Sequence, residues 1–162
     1  GSPAMTARPV AVPAAEVPAQ PPPGGFPPDL LQKLAGRTRR RLGEVFGLGN
    51  FGVNLTRLAP GAASSLRHAH ARQDEFIYIL AGTPTLVTDA GDTLLAPGMC
   101  AGFPAGGGDA HTLVNRGAED VLYLEIGDRT RGDTVSYPDD DLTAAQGDDG
   151  VWRYARKDGT PL

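Results

Sequence analysis

The feature that most limits how this chain can fold is a succession of short β-type segments, each closed by a turn signal. GVNLTRL (52–58) ends before Pro60-Gly61, EFIYIL (75–80) before Ala81-Gly82, and TPTLVT (83–88) before Asp89-Ala90-Gly91-Asp92. DTLLA (92–96) precedes Pro97-Gly98, HTLVN (111–115) precedes Arg116-Gly117, and DVLYLEI (120–126) precedes Gly127-Asp128. Apolar and polar residues alternate within these segments, as on half-buried strands. Many short strands joined by Gly/Pro turns predict an all-β sandwich or barrel. The length, 162 residues, suits one domain, and no repeat of solenoid or propeller period is present.

The flanks read differently. Gly1 to Ala4, ahead of Met5, read as a vector remnant and are left out of fold reasoning. Nine of the fifteen prolines fall in residues 1–28, so residues 5–36 read as an extended Pro/Ala-rich arm. Within it DLLQKLAG (29–36) predicts one short helical turn, with Asp29 as cap and Gly36 as stop. Residues 37–137 are the expected barrel. Residues 138–162 form an acidic C-terminal tail in which Trp152 and Tyr154 anchor the terminus or form a last strand.

Composition excludes several classes. Lys+Arg is 15 against Asp+Glu 19, a net charge of −4, which argues against a nucleic-acid binder. The longest apolar run, Phe76 to Ala81, is six residues, far below the ~20 that cross a bilayer. The single cysteine, Cys100, leaves no disulfide framework and no multi-cysteine zinc site. No segment combines a basic start with an apolar core, so a cytoplasmic setting is expected.

The chain has three histidines, and their placement carries the chemistry. His68 and His70 have strand spacing, which projects both imidazoles from one face. Glu75 lies at an odd offset, so ARQD (71–74) must bulge or turn for its carboxylate to join them. Glu75 opens a strand whose one face carries Ile77 and Ile79 and whose other carries Phe76, Tyr78 and Leu80. Two apolar faces predict a central strand buried on both sides. A carboxylate at its mouth needs a partner, which a divalent cation would supply. His111, with Leu113 and Asn115 on its face, would join the site by antiparallel pairing. Spacing alone leaves metal binding and ordinary structural histidines both open.

Other motifs weigh less. GLGNFG (47–52) matches G-x-G-x-x-G but lacks the preceding strand and following helix of a dinucleotide site. Asn54-Leu55-Thr56 sits in a predicted strand, and Arg131-Gly132-Asp133 reads as an ordinary turn. Arg37, Arg39, Arg40 and Arg41 read as a solvated strand face rather than an anion site. Ser64-Ser65 beside His68 is no nucleophile–base pair if that imidazole ligates a metal. Asp139 to Asp141 lacks the glycine and distal glutamate of a calcium loop, and Cys100 reads as packing.

The segment Gly61–Asn115 resembles the cupin superfamily. Gly61, His68, His70, Glu75 and Gly82 follow its first motif, and Gly98, Pro104, Gly106, His111 and Asn115 its second. Two loop intervals depart: six residues rather than five precede His68, and four rather than two separate Gly106 from His111. NFGVNL, CAGFPAG and KDGTP resemble single-domain bacterial cupins of unassigned activity. The resemblance implies a double-stranded β-helix, a small jelly-roll barrel, with the extended Pro-rich arm outside it. It implies His68, His70, Glu75 and His111 as ligands of one divalent transition metal, Fe, Mn, Ni, Zn or Cu. It further implies a small metalloenzyme acting on a small oxygenated substrate, of dioxygenase, decarboxylase, isomerase or lyase type. The alternative is a non-catalytic metal-dependent small-molecule-binding or structural module. A homodimer is expected, with the arm crossing to the partner. Arg57, Arg67, Phe103 and Tyr123 are the candidate substrate-binding residues, while Tyr78 falls on the face opposite Glu75.

Overall fold

The structure is a computed structural model describing residues 8–21 and 26–162. The expected vector remnant at 1–4 and part of the proline-rich arm lie outside the described residues. Twelve strands follow in chain order: β1 (Arg37–Arg41), β2 (Phe51–Leu58), β3 (Ala69–His70), β4 (Glu75–Ala81), β5 (Thr85–Thr88) and β6 (Gly91–Leu94), then β7 (Cys100–Phe103), β8 (Thr112–Val114), β9 (Val121–Asp128), β10 (Thr134–Ser136), β11 (Thr143–Gln146) and β12 (Trp152–Ala155). They form a five-stranded sheet ordered β1-β2-β9-β4-β7, a four-stranded sheet β12-β11-β10-β3 and a three-stranded sheet β6-β5-β8. All pairings are antiparallel. This is an all-β jelly-roll, the fold that the resemblance implies.

The six segments read from alternation all appear as strands. Their inward residues build the core: Leu58, Ile77, Ile79, Val121 and Tyr123 from the large sheet meet Leu86, Leu95 and Leu113 from the opposite side. At 20–30 cal/mol per Å² of apolar surface, each such side chain contributes about 1.5–3 kcal/mol by burial. Asn115, buried with them, donates from Nδ2 to the Leu58 and Glu119 carbonyls and accepts from the Gly117 amide, so it braces the turn after β8.

Strand β4 corrects one expectation. It lies inside the sheet, between β9 and β7, but only its Ile77 and Ile79 face is buried. Phe76, Tyr78 and Leu80 are 37%, 39% and 41% exposed on the outer face. Alternation of two apolar sets does not tell a face covered by the same chain from one left for another surface.

The flanks are more ordered than their composition suggests. A short helix α1 (Pro28–Leu31) runs into a 3-10 turn (Gln32–Leu34), and Gly36 at φ 84° redirects the chain into β1. The cap is Pro27, without a side-chain bond, rather than Asp29. A second short helix, α2 (Leu42–Val45), joins β1 to β2. The described part of the arm contacts β1: Ala19 bridges Arg40, the Gln20 amide donates to the Arg39 carbonyl at 2.8 Å, and Arg40 Nη1 donates to the Val17 carbonyl at 2.6 Å. The acidic tail folds back as β11 and β12, and its Leu142 is fully buried against Leu30 and Leu66.

Gly82 shows why the first motif ends in glycine. Its φ is +82°, and an added Cβ would lie 2.7 Å from the Asp120 carbonyl oxygen and 2.9 Å from Val121 Cα. Both obstacles are backbone and cannot rotate away. Gly82→Ala should therefore destabilise the fold by at least about 2 kcal/mol, read as a lower denaturant midpoint at unchanged slope. A midpoint equal to the parent's would contradict this geometry.

Candidate metal centre and cavity

Three backbone devices place the site. β3 carries His70, and His68 precedes it at strand spacing, so both rings turn inward. His68 and His111 form an antiparallel bridge, with amide-to-carbonyl distances of 3.1 and 2.9 Å. The ARQD loop resets the parity, and Glu75 starts β4 opposite Gly127 of β9 and Phe103 of β7. All three imidazole Nε2 atoms then converge on the Glu75 carboxylate. His68 Nε2 lies 3.3 Å and His70 Nε2 2.8 Å from Oε1, and His111 Nε2 lies 2.5 Å from Oε2.

The outer nitrogens determine what those contacts mean. His68 Nδ1–H donates to the Leu66 carbonyl at 2.8 Å, and His70 Nδ1–H donates to the Asp133 carboxylate at 2.5 Å. In both neutral rings the Nε2 lone pair then faces a carboxylate oxygen, acceptor against acceptor. Only a cation between them, a proton or a metal, makes the arrangement favourable. The pKa shifts carry the same message. Burial pushes the Glu75 carboxyl up, but hydrogen bonds from His111, His68 and His70 hold it well below the usual carboxylate range. Burial works against charge on His70, yet its bonds to Glu75 and Asp133 raise its pKa to about 9. His68, His70 and Glu75 each offer a ligand atom within 4.8 Å of one another, and His111 completes the ring through Glu75. Imidazole and carboxylate donors in this number fit a divalent transition metal.

The site is closed on one side and open on the other. The Phe103 ring stacks on His111 at 3.5 Å and 6°, and the space between them and Pro104 is about 10 Å³. On the other side His68, His70 and Glu75 border a cavity of about 790 Å³, open to solvent. Tyr137 and Trp152 stand at its wall, 6.2 Å from the His68 ring and 6.5 Å from the His70 ring between centroids. Burial, then the nearby Tyr154 and Glu75, pushes the Tyr137 hydroxyl up, so it stays protonated.

The candidate substrate residues fall in three places. Phe103 lies against His111 as a buttress. Tyr123 is fully buried in the core, its hydroxyl 3.5 Å from Glu125 Oε2. Arg57 and Arg67 do not reach the cavity: Arg57 points outward by strand parity and pairs with Asp120 at 3.1 Å, while Arg67 sits between Asp89 and Asp139. The arginine cluster reverses the other way. Arg37, Arg39 and Arg41 occupy alternate positions of β1 opposite Leu58, Thr56 and Asn54, and all three line the cavity, Arg37 and Arg39 largely covered and Arg41 half-exposed. A run of arginines gives no apolar partner set from which its inner face can be read. Asp133, set aside in sequence as part of a turn, is fully buried and holds both His70 and the Arg72 amide. The only sequence signal for it was a carboxylate 63 residues from the histidine it serves.

A family model described as "Cupin domain" matches residues 54–127. No curated protein sequence matches the chain. A sugar phosphate isomerase from a cupin superfamily of Silicibacter pomeroyi is 41% identical, covering 94% of this chain and 96% of its own, with a TM-score of 0.86. A protein of Acidithiobacillus ferrooxidans, provisionally described as a sugar phosphate isomerase, is 31% identical over 78% of this chain and 80% of its own, with a TM-score of 0.70. The polyketide cyclase RemF of Streptomyces resistomycificus shares the fold at 23% identity, covering 73% of this chain and 78% of its own, with a TM-score of 0.59. With its histidine motif, its jelly-roll and this similarity along nearly its whole length, the chain belongs to the cupin superfamily.

Proposed function

We propose that the protein is a divalent-metal-dependent isomerase acting on a sugar phosphate, with His68, His70, Glu75 and His111 as the metal ligands. The observation that carries this reading is the convergence of three Nε2 atoms on one carboxylate at the wall of an open cavity. Its reaction class follows the description of the 41% identical Silicibacter protein. A metal held there supplies Lewis acidity toward the carbonyl and neighbouring hydroxyl oxygens of a bound sugar. The chain's own groups hold and orient the substrate. Trp152 and Tyr137 offer ring faces to apolar C–H edges, and the protonated Tyr137 hydroxyl is a donor. Interconversion of aldose and ketose moves one proton between adjacent carbons and one between their oxygens. No electrons leave the substrate, so the balance needs no external oxidant.

The test has two stages. Protein purified without a chelating column should contain about one equivalent of Fe, Mn, Ni, Zn or Cu by elemental mass spectrometry. The loaded protein, offered aldose and ketose phosphates in D2O, should interconvert them with deuterium entering at the carbon next to the carbonyl, seen by NMR. Absence of metal after reconstitution, or absence of interconversion by the loaded protein across pentose and hexose phosphates, refutes the reading.

A homodimer through the outer face of the five-stranded sheet belongs to the same proposal. Phe51, Phe76, Tyr78 and Leu80 are each more than a third exposed; alternation puts the first three on that face, and Leu80 follows at the bulge between Ile79 and Ala81. Exposed apolar side chains gathered on one face of a sheet are what an association surface is built from. Light scattering should give twice the mass of one chain, and Tyr78→Asp should shift it toward monomer. A monomer with the full chain intact refutes the dimer.

A further inference from the structure

We infer that Arg37, Arg39 and Arg41 form an anion subsite in the cavity wall that receives the phosphoryl group of the substrate. The inference deepens the isomerase reading and takes from it only the identity of the ligand; the subsite itself rests on the charge distribution along β1.

Alternate residues on a strand stand on one face roughly 7 Å apart. The three guanidiniums are therefore a ladder of like charge, and like charges on one face repel unless something negative lies between them. The protein supplies too little. Arg39 Nη2 pairs with Glu125 Oε1 at 3.1 Å, and Glu125 is also held by Asn54 Nδ2 at 3.0 Å. Arg41 meets Glu44 at 3.5 Å, and Glu44 is shared with Arg129 at the same distance. Arg37 touches no carboxylate among the described residues; its Nη1 donates to the Ser64 carbonyl at 2.7 Å. Burial, then the neighbouring Arg39, lowers the Arg37 pKa, the direction expected of a cation short of counter-charge. Arg39 Nε is buried and has no hydrogen-bond partner among the described residues.

A half-buried arginine without a carboxylate, beside an orphaned guanidinium N–H, is costly in the free protein. An incoming anion supplies the counter-charge that Arg37 lacks. A phosphate monoester carries close to two negative charges at neutral pH and three terminal oxygens, enough to accept from two guanidinium forks together. A carboxylate, with one charge and two oxygens, would satisfy at most one fork, and Glu125 meets Arg39 through Nη2 alone. The subsite and the metal ligands share one cavity, and Arg37 reaches the carbonyl of Ser64, four residues before His68. A substrate anchored by phosphate at β1 can thus present its other end to the metal.

Calorimetric titration of the metal-loaded full chain with inorganic phosphate tests this. One binding site is expected, weakened at least tenfold in Arg37→Gln at unchanged metal content and circular dichroism. Arg37→Lys, which keeps the charge and loses the fork, should fall between. Arg57→Gln, on the outer face, should bind as the parent does. Arg41 is the most exposed of the three, so Arg41→Gln should fold whatever Arg37→Gln does; it should weaken phosphate about threefold or more. No phosphate binding by the parent, or parent-like binding by every Arg37 and Arg41 variant that folds, overturns the subsite. Sugar phosphate turnover with phosphate affinity untouched in both glutamine variants would overturn the subsite and leave the isomerase reading standing. Phosphate binding that falls in Arg37→Gln, in a parent protein that isomerises nothing, sustains the subsite and removes the isomerase reading.

Discussion

Glu75→Gln should emerge from purification with its β fold intact and its metal affinity reduced by about 100-fold or more. Glu75 is the one residue that all three imidazoles touch. The amide keeps the shape but removes the negative charge, and it places an N–H₂ where one carboxylate oxygen stood. An amide is a much weaker ligand than a carboxylate for a divalent transition metal. Elemental mass spectrometry and competition with a chromophoric chelator read the loss. Metal content and affinity equal to the parent's would show that the four residues are not the metal site.

The same cluster makes the pH dependence change sign when metal is removed. In metal-free protein the His70 pKa is raised to about 9, against about 6.5 unfolded. The stability this contributes is fully present below pH 6.5 and is lost as pH rises through 9, because the folded state holds the proton longer. Its size is on the order of 3 kcal/mol. Glu75 works oppositely: its carboxyl is held low, so its contribution is present above the ordinary carboxylate range and is lost as pH falls below it. In metal-loaded protein protons compete with the metal for His68, His70 and His111, so stability rises with pH and metal is released below about pH 5–6. Between pH 6.5 and 9 the metal-free protein should thus lose stability with rising pH while the loaded protein does not. Denaturant titrations with and without chelator test this, and parallel curves would refute it.

How much of this was legible in the residues depends on what each pattern encodes. Alternation found the six strands that carry the core, since one face must be apolar and the period of two is visible. It does not tell which face of β1 is covered, since the five residues RTRRR contain no apolar position, and it does not reach β3, which at two residues is marked only by the spacing of His68 and His70. β7, β10 and β11 are built of small residues and slight alternation, CAGF, TVS and TAAQ, and gave no signal either. The ligand cluster was legible because strand parity and an odd loop are local. The inward arginines and Asp133 were not, because their partners lie far off in sequence: Arg39 meets Glu125 across 86 residues and His70 meets Asp133 across 63. The fully exposed or fully buried fate of an arginine ladder is decided by what faces it across the barrel, which no local pattern records. Cys100 likewise reads as a small apolar residue and is in fact exposed, opposite Tyr78 on the outer face.

Asp133 supplies the second large effect. Its carboxylate is fully buried and accepts two hydrogen bonds, from His70 Nδ1 at 2.5 Å and from the Arg72 amide at 2.7 Å. An asparagine has one acceptor oxygen where the aspartate has two. In Asp133→Asn either the ring or the amide must therefore face an N–H₂ donor at a fully buried position. That should cost about 1–3 kcal/mol of stability. It should also lower metal affinity about 10- to 100-fold, because the Asp133 bond fixes the tautomer that leaves His70 Nε2 free to ligate. Both effects should vanish in the His70→Ala background. There the asparagine Oδ1 can accept from the Arg72 amide with no ring competing for it, so Asp133→Asn should leave the denaturant midpoint no lower and the residual metal affinity unchanged. Equal loss of affinity from Asp133→Asn in both backgrounds would mean that Asp133 acts through the general stability of the β10 edge, and not by positioning His70.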